Sequence, residues 1–244
     1  LPAAPRDLVD AAALARDGSV LYLGVGKSLR AVSLHKKTKP VSWSGHTYEL
    51  TGLVAAASGA VVSASRDQTI IVWGADGKPR HRIVDHRAPV LGLAIDPSGT
   101  RIASVGEDQK VRLFDVASGK GVAVIEAPGA RGLLAFAADG VHLAWSSAGG
   151  VTIAEGSSVV KEVATPEVSA IASHPTRPLW AFGTADRDVR GLLPDGGAGL
   201  LVGGLACAAG ALRFTESGDR LLVGAGTTDR VGALTELALG WGDR

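Results

Sequence analysis

Between Val90 and Ile125 the chain alternates short apolar runs with tight polar turns. One apolar stretch from Val90 closes on Asp96-Pro97-Ser98-Gly99, a strong turn signal. A second, Ile102–Val105, leads into the turn Gly106-Glu107-Asp108-Gln109. A third, Val111–Val116, alternates charged and apolar residues; Ser118-Gly119 turns the chain again into Val122–Ile125. Runs this short, separated by turn residues, predict four strands joined as a meander. No helical periodicity competes with this reading anywhere in the chain.

The unit repeats. The glycine of the first turn, or its equivalent, falls at Gly18, Gly59, Gly99, Gly140, Arg177 and Gly218, at intervals of 41, 40, 41, 37 and 41 residues. A period near forty with four strands per unit predicts an all-β β-propeller. About six four-stranded antiparallel blades are expected in one domain over 1–244, at roughly 8–45, 46–85, 86–127, 128–165, 166–204 and 205–244. A partner or a missing segment would make seven.

Repeat two reads Gly45-His46, then Val61-Val62-Ser63-Ala64-Ser65-Arg66-Asp67, then Thr69-Ile70-Ile71-Val72-Trp73. Repeat three places His86, Ser104, Asp108 and Phe114-Asp115 at spacings of 40 or 41 residues from their counterparts. This resembles the WD-repeat family, whose pattern runs from Gly-His through Ser-x-Asp-Gly to a closing Trp. The resemblance implies a buried hydrogen-bond network of His46, Ser63, Asp67 and Trp73 in blade two. In blade three it implies His86, Ser104 and Asp108, with Phe114 unable to donate as an indole does. Repeat five keeps Thr184 and Asp186 but has neither the Gly-His nor the Trp. Repeats one, four and six keep strands and turns but little of the network.

Composition narrows the functional classes. Net charge is +1, with a balance of +5 over residues 1–122 and −4 over 123–244. That asymmetry is too mild for sequence-independent nucleic-acid binding. No apolar stretch approaches a membrane span, so no membrane partner is expected. The single Cys207 makes no internal disulfide and fits a reducing, cytoplasmic setting. The first residues carry no secretory pattern. The chain has no Met, which leaves room for a processed leader or a larger parent protein.

Candidate chemistry is thin, and the chain reads as no enzyme. Gly24-Val25-Gly26-Lys27-Ser28 lacks the first glycine of a phosphate loop and leads into a strand, so it reads as the second turn of blade one. Cys207 has no His or charged neighbour and reads as a small buried apolar group. The innermost strands Leu91–Ala94, Gly132–Ala135, Ser169–Ala172 and Gly210–Leu212 are small and apolar, without the carboxylate ring of lactonase-type propellers. No catalytic residue, metal ligand or cofactor is therefore expected. The basic run His35-Lys36-Lys37-Thr38-Lys39 reads as a solvated turn, with an acidic or phosphate-bearing partner as the functional alternative.

What remains is recognition of other proteins by a scaffold or adaptor, alone or as a module of a larger complex. In WD-repeat proteins the loops between blades and the second turn of each blade form the usual contact face. The repeat alignment places Tyr48, Glu49, Arg66, Gln68, Arg87, Glu107, Gln109 and Arg187 there. A ligand-sensing channel mouth and a lactonase-type hydrolase are the alternatives. At the termini, Pro2 and Pro5 within Leu1–Asp7 and Gly240 and Gly242 within the last strand weaken pairing. Val231–Leu237 should be the third strand of blade six, Asp229 lies in a turn without a network, and the seam between blades one and six is weak: either Trp241 packs it closed, or the ring stays open and a partner supplies a strand or blade.

Overall fold

The computed structural model describes residues 9–205, 207–227 and 230–239. The chain divides into two compact units, Leu1–Gly132 and Leu133–Arg244. The described residues of both are strands and turns, with no helix long and apolar enough to cross a membrane.

The first unit holds three four-stranded antiparallel sheets. Sheet one is β1 to β4 (Ala11–Leu14, Val20–Val25, Ser28–Ser33, Val41–Ser44). Sheet two is β5 to β8 (Leu50–Ala55, Val61–Ser65, Ile70–Trp73, Pro79–Ile83). Sheet three is β9 to β12 (Val90–Ile95, Arg101–Gly106, Lys110–Asp115, Gly121–Glu126). Sheet four starts at the unit boundary with β13 (Ala130–Phe136) and continues in the second unit with β14 to β16 (His142–Ser147, Gly150–Glu155, Ser158–Ala164). Sheet five is β17 to β20 (Val168–Ser173, Trp180–Thr184, Val189–Leu192, Ala198–Val202), and sheet six is β21 to β23 (Ala209–Phe214, Arg220–Thr227, Arg230–Ala238). Each sheet is a meander in which sequence neighbours pair, the topology of a propeller blade. The four strands of a sheet are called a to d below. A meander puts its a–b and c–d turns at one end of the sheet and its b–c turn, with the d–a loop to the next sheet, at the other.

Sheet six has three strands among the described residues, β21 to β23. Of its expected fourth strand Ala238 ends β23 and the part from Gly240 onward lies outside the described residues, as do Leu1–Asp7, Asp229 and Trp241. The strand expected at Val231–Leu237 is β23.

Burial explains the apolar runs. The b and c strands are covered on both faces: β6 and β7 are buried at every position. The d strands are mostly solvated, as β12 and β16 show. Cores form between neighbouring sheets. Tyr22, Leu29 and Trp43 of sheet one meet Leu50, Ile71 and Trp73 of sheet two, with Trp43 between Tyr22 (5.6 Å) and Trp73 (5.9 Å). Ile70 and Val72 meet Ile102 and Phe114. In the second unit Trp180 and Phe182 pack with Ile153, and Val189 packs with Leu221 and Val223. Burying side chains of this size stabilises by about 1.5–3 kcal/mol each.

Between the a and b strands of sheets two and five the pairing skips one residue, Thr51 and Ser169 respectively. A bulge re-aims the skipped side chain. Here it sends each hydroxyl to the next a strand: Thr51 Oγ1 donates to the Val90 carbonyl at 2.8 Å and Ser169 Oγ to the Ala209 carbonyl at 2.7 Å. Inner strands that read as plain apolar runs thus carry a polar stitch to their neighbour.

Candidate functional site

The d–a loop Gly45–Glu49 and the b–c turn Arg66–Thr69 meet at one end of sheet two. His46 is 6% exposed and sits between them. Its Nδ1 lies 3.0 Å from Asp67 Oδ2, its Nε2 lies 2.7 Å from Ser63 Oγ, and Trp73 Nε1 lies 2.8 Å from the same Oγ. The tautomer follows from donor supply. An ionised carboxylate only accepts, so Nδ1 carries the proton; Nε2 then accepts from Ser63, whose oxygen accepts from the indole. The result is one directed chain from Trp73 to Asp67.

Asp67 gathers more. The Thr69 hydroxyl donates to it at 2.7 Å, the Thr69 amide at 3.0 Å and the Thr47 amide at 2.8 Å. Ser65 Oγ donates to the Tyr48 carbonyl, and the Arg66 amide to the Glu49 carbonyl. Loop and turn are thereby tied at four places, and the side chains of Tyr48, Glu49, Arg66 and Gln68 project from a fixed frame into solvent. Tyr48 is 62% exposed.

Sheet three repeats the plan with other parts. His86 Nδ1 lies 3.0 Å from Asp108 Oδ1, its Nε2 lies 2.7 Å from Ser104 Oγ, and the Arg87 amide donates to Asp108. Phe114 gives Ser104 no indole bond. Arg112 enters instead: it is 7% exposed, and its guanidinium donates to Asp108 Oδ2 at 2.7 Å and lies 2.8 Å from His86 Nδ1. In sheet two Arg82 on β8 has a related place, donating to the Thr69 hydroxyl and to the Gly45 carbonyl. Arg87, Glu107 and Gln109 are exposed at this end. Arg66 and Glu107 approach to 3.9 Å between the two sheets, an exposed pair of little energetic weight.

In sheet five Thr184 stands two residues before Asp186, as Ser65 stands before Asp67, and Phe182 occupies the Ser63 position. Thr184 Oγ1 is buried without a hydrogen-bond partner and Asp186 is exposed. With no His in the preceding loop, no network forms. Arg187 is exposed on its b–c turn in the second unit, apart from the residues of sheets two and three.

Three b–c turns share a feature that the sequence reading missed. Gln68, Gln109 and Arg187 have φ of 72°, 58° and 67°, and are the described non-glycine residues in the left-handed region. Glycine adopts that conformation at no cost, whereas other residues carry a strain of about 1–2 kcal/mol. Each is a long side chain with several hydrogen-bond donors, held out from the turn.

Titration follows burial. Burial lowers His46 and His86 below the ordinary histidine range, against the pull of Asp67 and Asp108, and Arg82 and Arg112 lower them further. His174 is lowered by burial as well; its Nε2 donates to the Gly218 carbonyl and its Nδ1 accepts the Thr176 and Arg177 amides. Burial works to raise Asp67, but the bonds from Thr69 and Thr47 and the nearness of His46 outweigh it and hold the carboxyl at about 2. For a group depressed on folding, stability is full above its unfolded pKa and is lost as pH falls. The unfolding free energy from urea melts is therefore expected to drop between pH 7 and pH 5, by up to about 1.4 kcal/mol per pH unit for each histidine that protonates on unfolding. A second loss follows below about pH 4, as Asp67 protonates in the unfolded chain. A flat profile from pH 7 to pH 5 would show that the histidines are not held neutral.

Among the described residues no three His, Cys, Asp or Glu side chains gather as a metal site. Cys207 is partly buried just before β21. Gly26-Lys27 is the b–c turn of sheet one, where the Gly26 amide donates to Asp10 at 2.9 Å.

The WD domain, G-beta repeat, family matches residues 37–74 and 77–115, each span running from a d strand or its approach through the next a, b and c strands. Similar proteins include nuclear distribution protein PAC1 of Yarrowia lipolytica, 32% identical over 114 residues, 46% of this chain and 24% of that protein. Eukaryotic translation initiation factor 3 subunit I of Neurospora crassa is 30% identical over 107 residues, 43% and 31% of the two chains. Pre-mRNA-processing factor 19 of Caenorhabditis elegans is 28% identical over 111 residues, 44% and 23%. The matched stretch spans less than a third of each of these relatives.

Proposed function

We propose that this chain, whose residues 37–74 and 77–115 match the WD domain, G-beta repeat, family, is a WD-repeat β-propeller that serves as a non-catalytic, cytoplasmic scaffold or adaptor for other proteins. Its contact face is formed by the d–a loops and b–c turns of sheets two and three. The observation that carries this reading is the pairing of a rigid base with exposed long side chains. Two buried networks fix the loops, while Tyr48, Arg66, Gln68, Arg87 and Gln109 are exposed to solvent. Tyr and Arg are the residues on which interface energy concentrates, and a fixed backbone reduces the entropy lost when they are covered. Strained turns that hold glutamine in place of glycine point the same way, since strain of this kind persists where a side chain is used. Membership of a larger assembly accords with a relative that is by name a subunit of an initiation factor. Arg187, in the second unit, serves a separate contact in this reading.

Arg66→Glu and Arg87→Glu are expected to weaken capture of partners from native extract at least about tenfold in affinity, a change of about 1.4 kcal/mol. Both arginines are exposed, so melting temperature should hold within about 1 °C of the parent. Quantitative mass spectrometry of proteins captured by each form is the measurement. An identical captured set, at unchanged affinity, would move the contact surface elsewhere.

A further inference from the structure

The two ends of the first unit differ in charge. Its a–b and c–d turns, counted with the strand ends that adjoin them, carry eight Lys and Arg against four Asp; the opposite end carries five against seven. In sheet one the basic end presents Arg16 and the exposed c–d loop with Lys36, Lys37 and Lys39. Sheet two adds Lys78 and Arg80, and sheet three Arg101 and Lys120. The four aspartates are engaged locally. Asp17 accepts from Ser19, Asp76 from Lys78 and Arg80, Asp96 from Thr100 and Arg101, and Asp115 from Ser118. The five lysines, in contrast, have no ion-pair partner among the described residues.

This end is one continuous surface within the unit. Arg16 donates to the Pro97 carbonyl, joining the a–b turns of sheets one and three. His81 Nε2 donates to the Ala117 carbonyl at 2.8 Å, joining the c–d sides of sheets two and three. Between these sheets opens a cleft of about 390 Å³, with Val72 and Val116 at its base and Ser58, Arg80, His81 and Thr100 among its walls. A basic field around an apolar slot selects for a particular ligand chemistry. A phosphate backbone would find the field but has no use for the slot, and none of these turns carries the Phe, Trp or Tyr on which bases stack. An acidic protein segment with one apolar side chain uses both.

We propose that the a–b and c–d end of the first unit is a second docking surface, distinct from the loop face above, for an acidic protein segment that anchors one aliphatic side chain between Val72 and Val116. Carboxylates of the segment lie over the free lysines, and the field steers its approach.

The probe is a synthetic peptide of Glu and Asp with one central Leu, followed by fluorescence anisotropy on the full chain. Binding is expected to weaken about tenfold, or about 1.4 kcal/mol, when Leu is replaced by Gly in the peptide. Lys36→Glu with Lys37→Glu and Lys39→Glu should weaken it by at least as much, and so should Lys78→Glu with Lys120→Glu. Ser58 is exposed at the cleft, and Ser58→Trp should block the anchor. All these positions are exposed, and thermal melts of each variant verify the fold. Arg66→Glu and Arg87→Glu should leave the peptide's affinity unchanged, which separates this surface from the loop face. Equal binding of the Gly peptide, or indifference to both lysine variants, would overturn the proposal. Tighter binding of a single-stranded oligonucleotide of matched charge would overturn it too, in favour of nucleic acid.

Discussion

Asp67→Ala is expected to destabilise the first unit by about 3 kcal/mol, because it removes one acceptor shared by four donors at once. The Thr47 amide, the Thr69 amide and hydroxyl and the His46 Nδ1 proton all lose their partner. His46 is too buried for water to replace the carboxylate, with a side chain only 1% exposed. A graded series tests the account. Trp73→Phe removes the indole donor to Ser63 and part of a fully buried ring that packs on Trp43, and leaves the four donors to Asp67 in place. It should cost about 2 kcal/mol, the lost bond together with the cavity. Asp67→Asn keeps an acceptor for the Thr47 and Thr69 donors but turns an amide toward a histidine N–H, and should fall between the two. Asp186→Ala, at the same turn position in sheet five, removes an exposed carboxylate with no histidine behind it and should stay within about 0.5 kcal/mol. Urea midpoints measure all four. Equal losses for Asp67→Ala and Asp186→Ala would show that the network does not hold the turn. Because Asp67 also fixes the loop bearing Tyr48 and Glu49, its removal should loosen partner binding even where the fold survives.

Much of this was written in the sequence at a coarse level. The period of turn glycines marked the sheets, since Gly18, Gly59, Gly99, Gly140 and Gly218 all have φ between +68° and +80°. A backbone requirement that only glycine meets cheaply leaves a mark that survives when side chains drift. Arg177 broke the series for a physical reason. In that turn the His174 ring takes the neighbouring amides, so the chain turns without a left-handed residue at that place. The His–Ser–Asp spacing in repeats two and three was legible for a similar reason, because each member needs the others.

The finer parts of the site were hidden by ambiguity of direction. Lys110-Val111-Arg112-Leu113-Phe114 alternates charge with apolar residues and reads as a half-exposed strand. Arg112 nevertheless points inward, where Asp108 accepts from it. Thr184 and Ser65 share a place two residues before Asp, and a hydroxyl in either invites confusion with the network serine two positions earlier. The spacing to Asp, two residues against four, separates them, and the register agrees, with Phe182 opposite Arg190 and Ser63 opposite Ile71. The stitches from Thr51 and Ser169 depend on bulges, and a bulge of one residue leaves no periodic trace in a strand of six.

Two glycines in the same turn position provide the second large effect. Gly59 and Gly99 have φ of +80° and +72°, so alanine at either must adopt a left-handed backbone. Nothing lies within 4 Å of a side chain added at Gly59. The expected cost of Gly59→Ala is therefore the strain alone, about 1 kcal/mol. At Gly99 an added Cβ would stand 2.5 Å from the Ala57 amide nitrogen and 2.8 Å from its Cβ. Backbone cannot swing aside as a flexible side chain does, so the a–b turns of sheets two and three must part. That adds about 2 kcal/mol and brings Gly99→Ala to roughly 3 kcal/mol. Ala57→Gly in the same chain removes the Cβ contact and not the contact with nitrogen, so rescue should be partial. The pair also separates stability from recognition at the basic end. Gly99 and Ala57 both line the cleft there and Gly59 does not. Gly99→Ala should weaken the acidic peptide at a temperature where the variant is still folded, and Gly59→Ala should not. If the two variants unfold at the same urea concentration, the turns of sheets two and three are not packed as closely as a 2.5 Å approach requires.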